Sequence, residues 1–249
     1  MKTDLRHLRS LPALLTIFLL PAALHAAPIS EQALSSLKRM SATLSAAKAF
    51  TYQTEIIMEV PAKNGQMLTL FANSAVALKR PDKLRARFTG EAPHFDFFYD
   101  GSSVAAYAPG NNVYSISKAP ATIDTMLPAL ESETGIRIAT RGLLMSDPYK
   151  ALTLGLKSGS LVGKVNVGGI PCEHLAFRGD GVNWEIWIES EARALPRRLA
   201  ATFTDRPGSP RVLIEFSHWD LRPSLRPGDF VFRAPAGSKE IPFLSVVRP

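Results

Sequence analysis

From Phe50 onward the chain alternates. Phe50, Tyr52, Thr54, Ile56, Met58 and Val60 fall on one face of an extended strand; Thr51, Gln53, Glu55 and Glu59 fall on the other, with Ile57 the exception. A period of two marks a strand with one buried face. The run closes at Pro61 to Gly65, whose final Asn64-Gly65 is a hairpin signal. The same pattern predicts strands over 66–79, 84–89, 94–99, 102–108 and 113–117, separated by Lys79 to Asp82, Asp100-Gly101 and Pro109 to Asn112. Strands joined in order by short turns predict an antiparallel meander.

Before the first strand the period is different. Leu34, Leu37, Met40, Ser41, Leu44 and Ala47 recur at three and four, which predicts an amphipathic helix. Ser30 is placed to cap it, with Glu31 and Gln32 in the first turn, where the helix dipole favours negative charge. After the meander, residues 121–134 have helical character, although Pro128 is expected to kink or split them. Asp147-Pro148 then predicts a helix start, an N-cap followed by proline at the first helical position. Strand signals resume over 160–167, 172–177, 184–189, 197–204, 212–220 and 230–232. The expectation is eleven or twelve strands, one early helix and a helical interruption.

The first residues do not belong to this pattern. Lys2, Arg6 and Arg9 precede an apolar run from Leu11 to Ala23, and small residues follow. That layout is expected of a secretory leader, residues 1–26, cleaved after Ala26. The domain proper is then 27–249, read as one exported domain. The balance of 29 Lys+Arg against 22 Asp+Glu stays mildly basic without the leader, and the basic residues are scattered. That distribution argues against a nucleic-acid partner. Cys172 is the only cysteine, so no internal disulfide forms, and its strand context predicts a small buried hydrophobe.

Chemistry-bearing residues are few. His94-x-Asp96, Cys172-x-His174 and His218-x-Asp220 each pair two ligand types, but no pair has a companion pair at metal-site spacing. Ser-x-x-Lys occurs at Ser35, Ser45 and Ser115, without the companion motifs of a serine hydrolase and without a Gly-x-Ser-x-Gly elbow. Neither a metal, a cofactor nor an enzyme activity is therefore expected. A hydrolase would require the fold to bring a serine beside one of the three histidines. The stronger signal is apolar strand material on both faces: Phe98 opposes Phe95, Phe97 and Tyr99, and Trp187 opposes Trp184, Ile186 and Ile188. Such strands need either a cover on the outer face or an inner cavity that accepts an apolar ligand.

The order of motifs resembles the periplasmic lipoprotein carriers of the Lol system. It runs from the opening helix and long strand through Lys79-Arg80-Pro81-Asp82, then Phe98-Tyr99-Asp100-Gly101 with Tyr107, to Asp229-Phe230-Val231-Phe232 with Pro235 and Gly237. Further motifs resemble a family of uncharacterised exported bacterial proteins related to those carriers. These are Ser146-Asp147-Pro148-Tyr149, the runs 172–177 and 184–189, Leu195 to Arg198, Pro207 to Pro210 and Trp219. The resemblance implies a mainly β (α+β) fold, an unclosed antiparallel barrel of about eleven strands around the N-terminal helix and short lid helices. It further implies a concave cavity for a hydrophobic or acylated ligand, a lipid or a lipoprotein. By position, Arg80 takes the role of an arginine that hydrogen-bonds lid backbone, and Leu84 that of the apolar residue after the proline. Phe88, Phe97, Trp184 and Ile186 are the further expected wall residues. A periplasmic monomer is expected, in transient contact with a membrane or membrane protein; two other readings stay open, an interaction module without a small ligand and, after it, a hydrolase.

Overall fold

The computed structural model describes residues 29–91, 94–191 and 193–243. The expected leader and its cleavage point lie outside the described residues. Helix α1 (Glu31–Ala46) leads into β1 (Ala49–Pro61), β2 (Met67–Lys79), β3 (Lys83–Gly90), β4 (Phe95–Tyr99), β5 (Ser103–Ala108) and β6 (Val113–Lys118). Three helices follow: α2 (Ile123–Thr134), α3 (Arg141–Leu144) and α4 (Pro148–Thr153). The chain continues through β7 (Leu156–Val167), β8 (Ile170–Gly179), β9 (Asn183–Glu189), β10 (Pro196–Thr202), β11 (Arg211–Asp220) and the two-residue β12 (Lys239–Glu240).

All twelve strands form one sheet in the order β12-β6-β5-β4-β3-β2-β1-β11-β10-β9-β8-β7. β1 joins two meanders by pairing antiparallel with both β2 and β11, so that Ile56 lies opposite Ala72 and Ile214. Of these strands only β12 pairs in parallel, with β6. The outermost strands, β12 and β7, do not meet, so the barrel is unclosed and the helices occupy its concave side. Inward-pointing Phe50, Leu78, Leu84, Tyr99, Ile186 and Phe216 share one core with Leu37, Met40 and Leu44 of α1, Met126 and Leu127 of α2, and Leu143 of α3.

The opening helix forms as its period predicts, with the Ser30 hydroxyl accepting from Ala33 N–H at 3.2 Å. Its buried stripe is rotated slightly: Ala33 and Ser36 are covered, while Leu34 is only half-buried. Pro128 does not split α2, which runs unbroken through it. Burial of Ile123, Met126 and Leu127, roughly 1.5–3 kcal/mol each, outweighs the ~3 kcal/mol cost of an interior proline.

The strand expected over 230–232 is absent. A 3-10 turn, Pro227–Phe230, stands there instead, and the twelfth strand lies further on. Phe232 beyond the turn packs on the outward rings of Phe98, Tyr107 and Tyr114, with centroids 5.5, 5.9 and 5.3 Å away. The C-terminal segment is thus the outer cover that Phe98 needs. Trp187 has its own: Val167, Cys172 and Ala200 form a small second core with it on the convex side. Strands apolar on both faces are explained here by two covers, one inside and one outside.

Candidate functional site

Arg80 sits just past the end of β2, at a corner completed by Pro81 through a cis peptide bond. The corner is anchored by backbone in two directions. Arg80 N–H donates to the Lys48 carbonyl at 2.8 Å, and Ile123 N–H, at the start of α2, donates to the Pro81 carbonyl at 2.9 Å. The guanidinium then reaches the helices. Nη1 donates to the Leu144 carbonyl at 3.0 Å and Nη2 to the Leu44 carbonyl at 3.5 Å. Leu44 lies in the last turn of α1 and Leu144 ends α3, so both are carbonyls that a helix leaves without an internal donor. The Phe50 ring lies beneath, its centroid 5.8 Å from the guanidinium carbon.

Burial pushes the Arg80 pKa down, and the nearby Asp124 carboxylate pulls it back up. Asp124 accepts from Ser146 N–H at 2.8 Å and from the Ser146 hydroxyl. The Ser146 carbonyl in turn accepts from the Ser45 hydroxyl at 3.0 Å. One polar chain therefore links the β2–β3 corner to α1, α2 and the α3–α4 connection. The cost of this grip is visible at Nε, which is buried without a hydrogen-bond partner among the described residues.

The apolar candidates fall on the concave face, but on opposite arms. Leu84 and Phe97 are buried and Phe88 half-buried on β3 and β4; Trp184 and Ile186 are buried on β9. Phe88 stacks on Phe95 at 4.7 Å, and Trp184 on Phe177 at 4.3 Å. The helical cover over this wall is uneven. Along β1 the exposure of inward residues rises from 0% at Phe50 through 3% at Thr54 to 8% at Ile56, and Met58 and Val60 beyond are half-exposed. β2 mirrors it, from fully buried Leu78 to Leu68 at 39%. The end near Arg80 is roofed, and the end near the β1–β2 hairpin is open.

A second clamp, not anticipated from the sequence, holds the other end of the helical roof. Arg206 Nη2 donates to the Gly135 carbonyl at the end of α2 at 2.9 Å, and Arg137 pairs with Asp205. The guanidiniums of Arg137 and Arg206 both lie over the Phe203 ring, 5.6 and 5.5 Å from its centroid. The only local hint was a charged pair, Asp205-Arg206, beside the Pro207-Gly208 turn.

The histidines do not converge. His94 is exposed, and His174 stacks on Trp187 at 4.0 Å while bonding Glu185 at 2.9 Å. His218 contacts the neighbouring Ser217 hydroxyl through Nδ1 at 3.0 Å. That serine–histidine contact is solvent-facing, on a bulge where His218 has φ 52°, and no carboxylate among the described residues bonds the ring. Among the described residues no three His, Cys, Asp or Glu side chains come together in a metal-holding group.

No curated protein sequence matches the chain. Among solved structures it is similar to an uncharacterised conserved protein from Thermus thermophilus, at 16% identity and TM-score 0.48, over 85% of this chain and 99% of that one. It is similar to the Mycobacterium tuberculosis lipoprotein LppX at 11% identity and TM-score 0.46, over 79% and 100%. Likeness to a LolA superfamily protein from Nitrosomonas europaea has 11% identity and TM-score 0.37, over 80% and 97%. The model of one sequence family, described as predicted periplasmic protein (DUF2092), matches residues 33–244, and the chain belongs to that family.

Proposed function

We propose that the protein is a periplasmic carrier that binds a hydrophobic or acylated ligand, a lipid or a lipoprotein, on the concave face of its half-barrel. Arg80 acts as the latch of the helical roof, and Leu84, Phe88, Phe97, Trp184 and Ile186 serve as wall. The observation that carries this reading is the guanidinium of Arg80 donating at 3.0 Å to the terminal carbonyl of α3 and reaching, at 3.5 Å, a last-turn carbonyl of α1, two helices that roof an apolar wall. A fork of planar donors suits that task, and a lysine point charge does not replace it. Burial of an acyl chain supplies about 0.8 kcal/mol per methylene, so a modest cavity holds one stably. The test is uptake of a fluorescent acyl probe by wild type and by Arg80→Leu. Faster exchange in a variant of normal stability supports the latch; wild-type exchange in that variant rules it out.

One observation favours a second reading, an interaction module without a small ligand. Ile57 and Phe71 face each other on the convex side of β1 and β2, 39% and 57% exposed, and form an apolar step on the outer surface. Failure of wild type to take up any acyl probe, with loss of partner contacts in Phe71→Glu, would favour that reading.

A further inference from the structure

The concave face of β1 to β4 is apolar at almost every inward position, and its exception is local. Thr54 and Ser74 point inward, opposite each other in the β1–β2 register, 3% and 7% exposed. Their hydroxyls are 2.6 Å apart. Tyr52 and Tyr99 are the other hydroxyls on this wall, and Tyr99 already donates to the Pro120 carbonyl at 2.5 Å. A hydroxyl pair holds two protons, of which one serves the mutual bond. Among the described residues the other has no acceptor.

The position of the pair matters. It lies at the edge of the helical roof, where inward exposure begins to rise. Level with it across the sheet stand half-buried Phe88 and Phe95, and beyond it, toward the hairpin, Met58, Leu70 and Leu68 continue the wall with half-covered or exposed apolar side chains. No Lys, Arg or His occupies an inward position on these four strands. A ligand with a carboxylate would find no counter-charge there, whereas a neutral carbonyl would find a spare hydroxyl donor.

We infer that Thr54 and Ser74 form a carbonyl subsite, and that the ligand is an acyl chain joined through an ester or amide rather than a free fatty acid. Its carbonyl accepts from the hydroxyl pair beneath the edge of the roof. Its chain runs along the open wall toward the β1–β2 hairpin. This inference rests on the carrier reading and adds to it the chemical class and the direction of the ligand.

The test compares parinaric acid with its methyl ester, both fluorescent, binding to the wild-type protein and to Thr54→Val/Ser74→Ala. Wild type is expected to bind the ester more tightly than the acid at pH 8. The double variant is expected to lose about two- to ten-fold in ester affinity, the effect of one neutral hydrogen bond, while its affinity for the acid stays unchanged. Ser74→Ala alone and Thr54→Ser, which keeps both hydroxyls, complete the set: the first should lose part of the ester affinity and the second should retain it. Ester affinity undiminished in the folded double variant, or in Ser74→Ala if the double variant does not fold, overturns the subsite and leaves the carrier reading standing. Binding of neither probe by wild type removes the carrier reading and the subsite with it.

Discussion

Replacing Arg80 by leucine is the perturbation that reaches furthest into this structure. The bond from Nη1 to the Leu144 carbonyl, 3.0 Å long, is charge-assisted and worth about 1.5–3 kcal/mol. The 3.5 Å contact to Leu44 is at the outer limit of hydrogen bonding and adds little. The face of Phe50 adds about 0.5–1 kcal/mol. Against these stands the unpartnered Nε, a loss of about 1–3 kcal/mol that leucine removes. The net loss is then about 1 kcal/mol, confined to the docking of α3 and the end of α1 on the β2–β3 corner. That corresponds to a roughly five-fold larger open population. Hydrogen–deuterium exchange should show protection falling by about that factor in residues 123–153, with the β1, β2 and β11 amides unchanged. Arg80→Lys, which cannot bridge two carbonyls, should fall between. Unchanged protection in α2 to α4 would refute the reasoning, and so would an equal loss across the whole sheet, because either result denies that Arg80 acts on the roof.

Four further outcomes are expected. Arg206→Ala should loosen the opposite end of the roof, raising exchange at the end of α2 without affecting the Arg80 corner, because it removes the donor to Gly135. Gly159→Ala drives a methyl group into the Phe177 ring, and so disturbs the Phe177–Trp184 stack; a loss of about 1–3 kcal/mol in denaturant titration is expected. Cys172 is fully buried and burial pushes its thiol pKa up, so it should react with a thiol reagent only at the rate at which the protein opens. For Glu173, burial works to raise the carboxyl pKa, but bonds from Ser36 and Arg39 outweigh it and hold the pKa below its ordinary 4.5. A carboxyl with a lower pKa folded than unfolded contributes stability above that ordinary value, and the contribution is lost as pH falls through the folded pKa. Thermal stability should therefore fall in the region below pH 4.5, and Glu173→Gln should flatten that part of the curve.

Local chemistry made much of the sheet legible. The inward set Phe50, Tyr52, Thr54, Ile56 was readable because a period of two has one buried face, and the Ser30 cap because its chemistry is local. The C-terminal strap was misread because Phe230 and Phe232 have strand-like composition, whereas the rings that Phe232 covers lie on the convex sheet, far earlier in sequence. The split at Pro128 did not occur for the same kind of reason, since tertiary burial on α2 overrides a local penalty. In the candidate site, Arg80 was singled out by its motif, whereas the Leu44 and Leu144 carbonyls it reaches are backbone atoms that leave no mark in a sequence. The Arg206–Phe203–Arg137 clamp is likewise a meeting of distant loops. The Thr54–Ser74 pair needed the β1–β2 register before two ordinary hydroxyls became neighbours.

The central claim is that the half-barrel holds an acylated or apolar ligand, and native mass spectrometry tests it most directly. Protein purified from the periplasm without detergent should carry a stoichiometric mass that lipid extraction recovers as an ester- or amide-linked acyl compound. A protein that flies at its bare mass, yields no lipid on extraction and takes up no acyl probe would contradict the account.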